Sequence, residues 1–426
     1  MYYKKRYDNM RRVLHVGEYQ RKNGSYGYRW TDAYGKRHTI YAKDLDVLRT
    51  REEKLQLDRL EGIKDAPPDL TIENLFETWI KLKRGIKRST YSGYIQVFNT
   101  IIRPAIGKKH VIQMKRSNVR AFYISLIDER GLSIGTVERA HNVLRQVFQF
   151  AVDDDYLRKN PCDNILKELK LTYGDRKSGK KKSLTLKQEI NFLKFVREDG
   201  RYWNLYPTFF IMLNTGLRAG ELTGLRWQDV DLENGIIDVN HSLVYFNHRD
   251  ERGYCFSINS PKTENGKRKV IMTQAVIDAF YMERKFQEFL GLKSIDVIDG
   301  YSDFIFINKY NHVQSHTSLN KVIANIIFEY NKWVRSKGIT DTSELLPHFS
   351  CHILRHTYAT RLLESGAAIK FISVQLGHAD IQITYDTYID VTDEFKRVQI
   401  KPFEKYMDSV LKQVDDINPG LYDGIS

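Results

Sequence analysis

The chain has 426 residues, enough for two or three domains at roughly 150 residues each, and carries 67 Lys/Arg against 53 Asp/Glu, a formal net charge of +14. Hydrophobic residues at 42% exclude a disordered basic tail protein, and no run of about 18 apolar residues offers a membrane span. Three scattered cysteines, Cys162, Cys255 and Cys351, form neither a disulfide framework nor a zinc module. With no signal-peptide stretch at Met1, these features point to a cytoplasmic, multidomain nucleic-acid binder.

The positive charge starts early: residues 1–40 hold ten Lys/Arg and three Asp/Glu, a net of +7. Turn signals at Asn23-Gly24 and at Asp32 to Gly35 separate alternating runs, one of them Tyr26, Tyr28, Trp30 against Gly27, Arg29, Thr31, the other Arg37 to Ala42. A helix from Leu45 to about Glu61 follows, with Leu45, Leu48 and Leu55 toward the sheet. A small basic sheet of this kind fits a DNA major groove, with Arg21, Lys22, Arg29 and Arg37 as candidate contacts; it is also what a solvated basic surface looks like.

Residues 71–170 read as helical. Ile72, Leu75, Phe76, Trp79 and Ile80 make one apolar stripe; Tyr94, Ile95, Phe98, Ile101 and Ile102 make a second, stopped by Pro104. Val119, Phe122, Tyr123 and Leu126 make a third, and Val137, Ala140, Leu144, Val147, Phe148 and Ala151 a fourth. Lys83, Arg84, Lys87 and Arg88 lie on outer faces suited to DNA. The basic cluster Arg176, Lys177, Lys180, Lys181, Lys182 contains a P-loop near-miss, but Lys181 stands where Ser or Thr should hold magnesium, so a charged linker is expected.

The chemistry lies in the last 240 or so residues. Thr185-Leu186-Lys187-Gln188 is a capping box. In Leu213-Asn-Thr-Gly-Leu-Arg-Ala-Gly-Glu221, Gly216 can end one helix and Arg218 open the next, with Glu221 one turn on; an ordinary ion pair between helices also fits. Ser260 to Val270, containing Lys262, reads as a basic hairpin with an Asn265-Gly266 turn. In His352-Ile353-Leu354-Arg355-His356 the two His and the Arg share a helix face; Ile353 where a zincin has Glu, and the adjacent cation, disfavour zinc. Leu376-Gly377-His378 ends another helix, and Tyr388 follows ten residues after His378, with Tyr385 one turn earlier.

Taken in order, Thr-Gly-Leu-Arg-x-x-Glu, Pro-Lys-Thr, His-x-Leu-Arg-His, Leu-Gly-His and a late Tyr resemble the signature of the tyrosine recombinases, the phage-integrase family. Over roughly residues 15–400, including the run Ile298-Asp-Gly-Tyr-Ser-Asp-Phe-Ile-Phe-Ile-Asn308, the similarity is closest to integrases of conjugative transposons. The resemblance implies a multidomain α+β protein: an arm-binding domain with a three-stranded sheet and a helix (1–65), a helical core-site-binding domain (66–172), a basic linker (173–184), a mixed, mainly α catalytic domain with a small sheet (185–399), and a tail helix for protomer contacts (400–426).

It also implies roles. Arg218 and Arg355 would hold the scissile phosphate, Lys262 protonate the leaving 5′-oxygen, His352 act as general acid/base, His378 bond the phosphate, Tyr388 attack, and Glu221 brace Arg218. His356 is expected to be structural. The spacing from His378 to Tyr388 is one residue longer than in many members, and Asp390 stands where many carry His. Lys87, Arg88, Lys180 and Lys181 are further DNA candidates.

The residue types make chemical sense by themselves. Two guanidiniums meet an anionic phosphodiester bidentately and keep their protons. Preorganised donors of this kind contribute roughly 3–4 kcal/mol each, about 10²–10³ in rate. A phenol that ionises near about 10 is activated by a cationic pocket. The expected enzyme cuts and rejoins DNA through a 3′-phosphotyrosine and a Holliday junction, without cofactor, metal or ATP. Its expected partners are double-stranded DNA at core and arm sites, three further copies of itself, and an excisionase or DNA-bending protein; its expected place is the bacterial nucleoid, not a membrane. After Tyr388 the charge reverses, and the stripe Phe403, Tyr406, Met407, Val410, Leu411, Val414 packs either on its own domain or on a neighbouring protomer.

Overall fold

The structure is a computed structural model that describes residues 5–31, 35, 37–60, 70–174, 183–261, 266–378, 404 and 407. It divides into two units, residues 1–178 and 179–426. Among the described residues, no helix is long and apolar enough to cross a membrane.

In the first unit, β1 (Arg6–Tyr7) and β2 (Val13–Leu14) form a small pair that the turn signals did not reveal. An antiparallel sheet follows in the order β3 (Glu18–Gln20), β4 (Tyr26–Thr31), β5 (Arg37–Ala42). The Asn23-Gly24 turn is present, with Gly24 at φ +84° and the Arg21 amide donating to the Ser25 carbonyl (2.8 Å). The second turn falls mostly outside the described residues. Helix α1 (Leu45–Leu60) packs Leu45 and Leu48 on Tyr26 and Ala42. Leu55, expected in that stripe, is only half-buried; the buried residue beside it is Glu52.

The helical stripes all face inward in α2 (Ile72–Leu82), α3 (Arg88–Val97), α4 (Arg103–Ile106), α5 (Arg116–Asp128), α6 (Ile134–Asp153) and α7 (Ile165–Tyr173). Pro104 corrects one expectation, because it does not stop the second helix. A π-helical turn over Phe98–Ile102 widens the coil, the Arg103 amide bonds Phe98 five residues back, and the chain runs on into α4. The Thr100 carbonyl, which Pro104 has no N–H to serve, accepts from Arg130 Nη2 at 3.5 Å.

The second unit begins with Leu184 buried and the Thr185/Gln188 capping box as expected, opening α8 (Leu186–Glu198). Then come α9 (Tyr206–Thr215), α10 (Ala219–Thr223), β6 (Val230–Asp231), β7 (Ile236–Val239), β8 (Ser242–Asn247), β9 (Tyr254–Asn259) and β10 (Arg268–Ile271). Helices α11 (Gln274–Leu290), α12 (His316–Ser336), α13 (Cys351–Glu364) and α14 (Ile369–Leu376) complete it. The fold is therefore mixed and mainly helical, with small sheets, as the resemblance implied.

Residues 262–265 of the expected Ser260–Val270 hairpin lie outside the described residues; the flanking strands β9 and β10 do not pair with each other. Strand β9 pairs with β8, while β10 joins a sheet in the order β10-β7-β6. Gly266 does not take the positive φ of a type I′ turn. Val270 of β10 is fully buried opposite Ile237 of β7.

Candidate active site

Helix α9 ends at Gly216 in the left-handed region (φ +63°), where an added Cβ would lie 2.4 Å from Tyr358 Cδ1. Only glycine meets both demands. Its carbonyl accepts from Arg355 Nη1 at 2.7 Å. Two residues on, Arg218 caps α10: its amide donates to Glu221 Oε2 (2.9 Å) and its Nη1 to Oε1 (2.7 Å). The anticipated ion pair is thus present, but it is half of a larger one. Arg268 Nη1 and Nη2 reach the same carboxylate at 3.1 and 2.8 Å. Burial alone would raise the Glu221 carboxyl, but the Arg268 hydrogen bonds and the charges of Arg268 and Arg218 outweigh it and hold it at about 2.

The end of α14 organises the rest. Its last carbonyls need partners beyond the helix, and three successive ones receive guanidinium N–H groups. Gln375 accepts from Arg268 Nε (2.7 Å), Leu376 from Arg355 Nη2 (2.5 Å) and Gly377 from Arg218 Nη2 (3.2 Å). Cations at a helix C-terminus also suit its dipole. Gly377, at φ +64°, turns the chain, and the His378 amide bonds back to Ser373 (3.1 Å), a Schellman closure that fixes His378 beside the arginines. Burial, then the charges of Arg355, Arg218, His356 and Arg268, depress the His378 imidazole to about 4, so it is neutral near pH 7.

Helix α13 supplies Arg355 and the two other histidines. Arg355 is 3% exposed, more deeply placed than Ile353 beside it. Arg218, by contrast, keeps 43% of its side chain exposed and can meet a ligand directly. His352 lies in the first turn of α13, exposed, its ring edge-on to His356 at 4.5 Å. Arg218, Glu221, Arg355, His356 and His378 therefore converge around the end of α14, and His352 adjoins them through His356. Lys262, Tyr385 and Tyr388 lie outside the described residues, as do Lys180, Lys181 and, except for Met407, the tail stripe.

Reading the chain alone missed Arg268. The signal was its register: in Lys267-Arg268-Lys269-Val270, alternation turns Arg268 inward with Val270, and an inward guanidinium calls for a buried carboxylate.

The N-terminal sheet gathers the arm candidates. Pairing sets Tyr19 opposite Gly27, Gly27 opposite Tyr41, Arg29 opposite Thr39 and Thr31 opposite Arg37, all on the face away from Tyr26. Arg29 lies over the Tyr19 ring (5.3 Å) and Arg21 over the Tyr41 ring (4.7 Å). Arg21, Lys22, Arg29 and Arg37 are all exposed. A Cβ at Gly27 would lie 2.6 Å from the tip of the Tyr19 ring, so a larger residue there would have to displace that ring. In the bundle, Arg88 is exposed and Lys87 half-buried at the start of α3. A groove of about 650 Å³ between α3 and α6 is lined by Thr90, Gln96, Thr100, Arg139, Asn142 and Arg145. Lys83 donates to Gln146, another residue of that groove (2.9 Å to Oε1), and lies over the Trp79 ring.

Among the described residues, His15, Glu18 and Glu52 have ligand atoms within 4.8 Å of one another, as a metal site requires. Arg49, however, already donates to both oxygens of Glu18 (3.1 and 3.3 Å).

Comparison with known proteins agrees with this geometry. Residues 182–394 match the phage integrase family, and residues 2–60 match the DNA binding domain of Tn916 integrase. The transposase from transposon Tn916 of Enterococcus faecalis is 30% identical over 94% of this chain and 97% of its own length. A XerC-like tyrosine recombinase of Caldanaerobacter subterraneus subsp. tengcongensis is 28% identical over 88% and 95%. Among solved structures, the Tn1549 transposon integrase in complex with transposon right end DNA, a Tyr-to-Phe variant, superposes with a TM-score of 0.66 at 28% identity, covering 78% of this chain and 99% of that one. An Arg-to-Lys variant of the same integrase in complex with a circular intermediate DNA gives 0.67 at 28% identity, with the same coverage. An arginine pair locked beside a neutral histidine, on a chain matched over its catalytic half and its N-terminal sheet, identifies this protein as a member of the phage integrase family of tyrosine recombinases, enzymes that cleave and rejoin DNA strands.

Proposed function

We propose that this chain is a conjugative-transposon integrase that inserts and excises a mobile element through a covalent phosphotyrosine. The observation that carries the proposal is the placement of Arg218 and Arg355 on adjacent carbonyls of one helix end, next to neutral His378. Both guanidiniums are held before any ligand arrives, so little reorganisation is left for the transition state.

In the proposed reaction the Tyr388 hydroxyl attacks the scissile phosphorus, with His352 taking its proton. Arg218, Arg355 and the His378 N–H hold the non-bridging oxygens as negative charge builds. The 5′-oxygen departs with a proton from Lys262, leaving a 3′-phosphotyrosine. Attack by a partner strand's 5′-hydroxyl reverses the steps, and two rounds pass through a Holliday junction. The ester conserves the bond energy, so ATP is unnecessary; the guanidiniums supply the positive charge, so the reaction should run fully in EDTA. The DNA complexes of the Tn1549 integrase, one with a Tyr-to-Phe variant, support this reading.

The open face of the N-terminal sheet, with Arg21, Lys22, Arg29 and Arg37, is assigned to arm-type DNA, and the matched Tn916 DNA-binding domain supports that assignment. Lys87, Arg88 and the groove bearing Arg139 and Arg145 are assigned to core-type DNA. The proposed divisions are 1–65 for arm binding, 66–172 for core binding, 173–184 as a linker whose Lys180 and Lys181 follow the phosphates, 185–399 for catalysis, and 400–426 for contacts in a tetramer. An excisionase or DNA-bending protein would set direction, and the bacterial nucleoid would be the place of action.

A nicked suicide substrate, which traps the cleaved strand, tests the centre of this proposal. The wild type should form a covalent protein–DNA adduct, and Tyr388→Phe should form none while binding the same site. An adduct that persists in Tyr388→Phe overturns the nucleophile assignment and moves it to Tyr385.

A further inference from the structure

We propose that Arg268 is a positioning residue for strand cleavage: it fixes Arg218 and the end of α14 in one register. This rests on the cleavage reading above. Its side chain is 3% exposed. Four of its five N–H donors are committed: Nε to the Gln375 carbonyl (2.7 Å), Nη1 to Glu221 Oε1 (3.1 Å) and the Gly266 carbonyl (3.4 Å), and Nη2 to Glu221 Oε2 (2.8 Å). With those donors spent inside the protein, its effect passes through the groups it holds.

Those groups come from separate parts of the fold. Glu221 orients Arg218 from the other side of the carboxylate. Gln375 begins the row of carbonyls that receives Arg355 and Arg218 in turn and leads directly into His378. Strand β10, which carries Arg268, is anchored in the core sheet opposite Val239 of β7. The guanidinium thus ties a rigid strand to a carboxylate and a helix end at once. Its planar fork takes the carboxylate with one edge while Nε serves the carbonyl. A lysine ammonium in its place would keep the charge but not that two-sided geometry. Loss of the tie leaves Arg218 joined to α14 only through its own bond to the Gly377 carbonyl (3.2 Å), and a misplacement of about 1 Å at such a centre costs on the order of 10² in rate.

The test measures DNA affinity, thermal stability and single-turnover adduct formation at saturating suicide substrate, for the full chain and three variants. Arg268→Lys should bind DNA nearly as the wild type does but form adduct with a rate constant roughly 10- to 100-fold lower. Arg268→Met should be slower still, and Arg268→Met combined with Glu221→Gln no slower than the worse single variant, because both residues act as one unit. A residue needed only for folding would reduce the amplitude of adduct in step with the folded fraction and leave the rate constant alone; that result overturns the proposal. So does Arg268→Lys at the wild-type rate, and this variant decides the matter if Arg268→Met does not fold. A wild type that forms no adduct overturns the cleavage reading and this proposal with it, whereas an unchanged rate in Arg268→Lys beside a normal wild-type adduct overturns this proposal alone.

Discussion

In the N-terminal sheet two buried carboxyl groups, Glu18 and Glu52, face one guanidinium, that of Arg49; in the catalytic unit one buried carboxylate, Glu221, faces two. Arg49 and the His15 amide (2.6 Å) satisfy Glu18, which stays below the usual carboxylate range although burial opposes it. Glu52 receives what is left. Burial first, then the negative charge of Glu18, push it up to about 7, and its Oε1 has no hydrogen-bond partner. Glu221 goes the other way, to about 2. Charge stoichiometry, more than depth, sets the direction. The surplus acid takes up a proton in the interior between sheet and helix, on the side opposite the face that carries the arginines. The surplus arginine leaves the catalytic centre positive, ready for an anion.

The contrast breaks most severely if the arginine surplus is cut. Arg355→Met removes a charge and empties the Gly216 and Leu376 carbonyls, and should lower single-turnover cleavage roughly 10²- to 10³-fold while site binding persists. Cleavage within a few-fold of wild type would mean that Arg218 suffices. Next in size is Glu221→Ala, which strands Arg268 without its carboxylate and should cost about 3–5 kcal/mol in denaturant unfolding of the catalytic unit. The wild-type pH response carries the same sign. The folded value of Glu221 lies below the ordinary 4.5, so its contribution is present above 4.5 and is lost as pH falls through 4.5 toward 2, on the order of 3 kcal/mol in all.

The smallest effect sharpens the comparison from the other side. The folded value of Glu52 lies above 4.5, so stability is fullest below 4.5 and falls as pH rises from there to about 7. Glu52→Gln should remove that slope and leave the sheet no less stable at pH 8. Hydrogen exchange of peptides spanning residues 18–52 would register it, and a slope that survives the substitution would refute the shared-proton account.

Local rules on the chain foretold the pieces whose causes are local. The Thr185/Gln188 box, Gly216 and Gly377 each solve a helix-end problem within a few residues, and they were readable for that reason. The stripes of the helical region likewise follow from period alone. Arg268 and Glu52 were not foreseen because their partners lie elsewhere: Glu221 is 47 residues from Arg268 and Glu18 is 34 residues from Glu52. A polar residue on an inward position looks like a pattern error until its partner is placed. The neighbour of β10 was hidden for a related reason, since buried side chains opposite β7 decide it and not turn chemistry. Pro104 shows the same limit within one helix, where a change of hydrogen-bond register absorbs a residue that normally breaks the coil.

Leu184 has a mechanical meaning. Its amide donates to Thr357 Oγ1 (3.0 Å), and its carbonyl accepts from Arg361 Nη2 (2.8 Å), which also grips Glu189 of α8 (2.9 Å). Both holds are on α13, the helix that bears His352 and Arg355. The chain is therefore riveted to its own catalytic helix at the point of entry. A tug along the backbone at Leu184 loads α13 at Thr357 and Arg361, within two turns of Arg355.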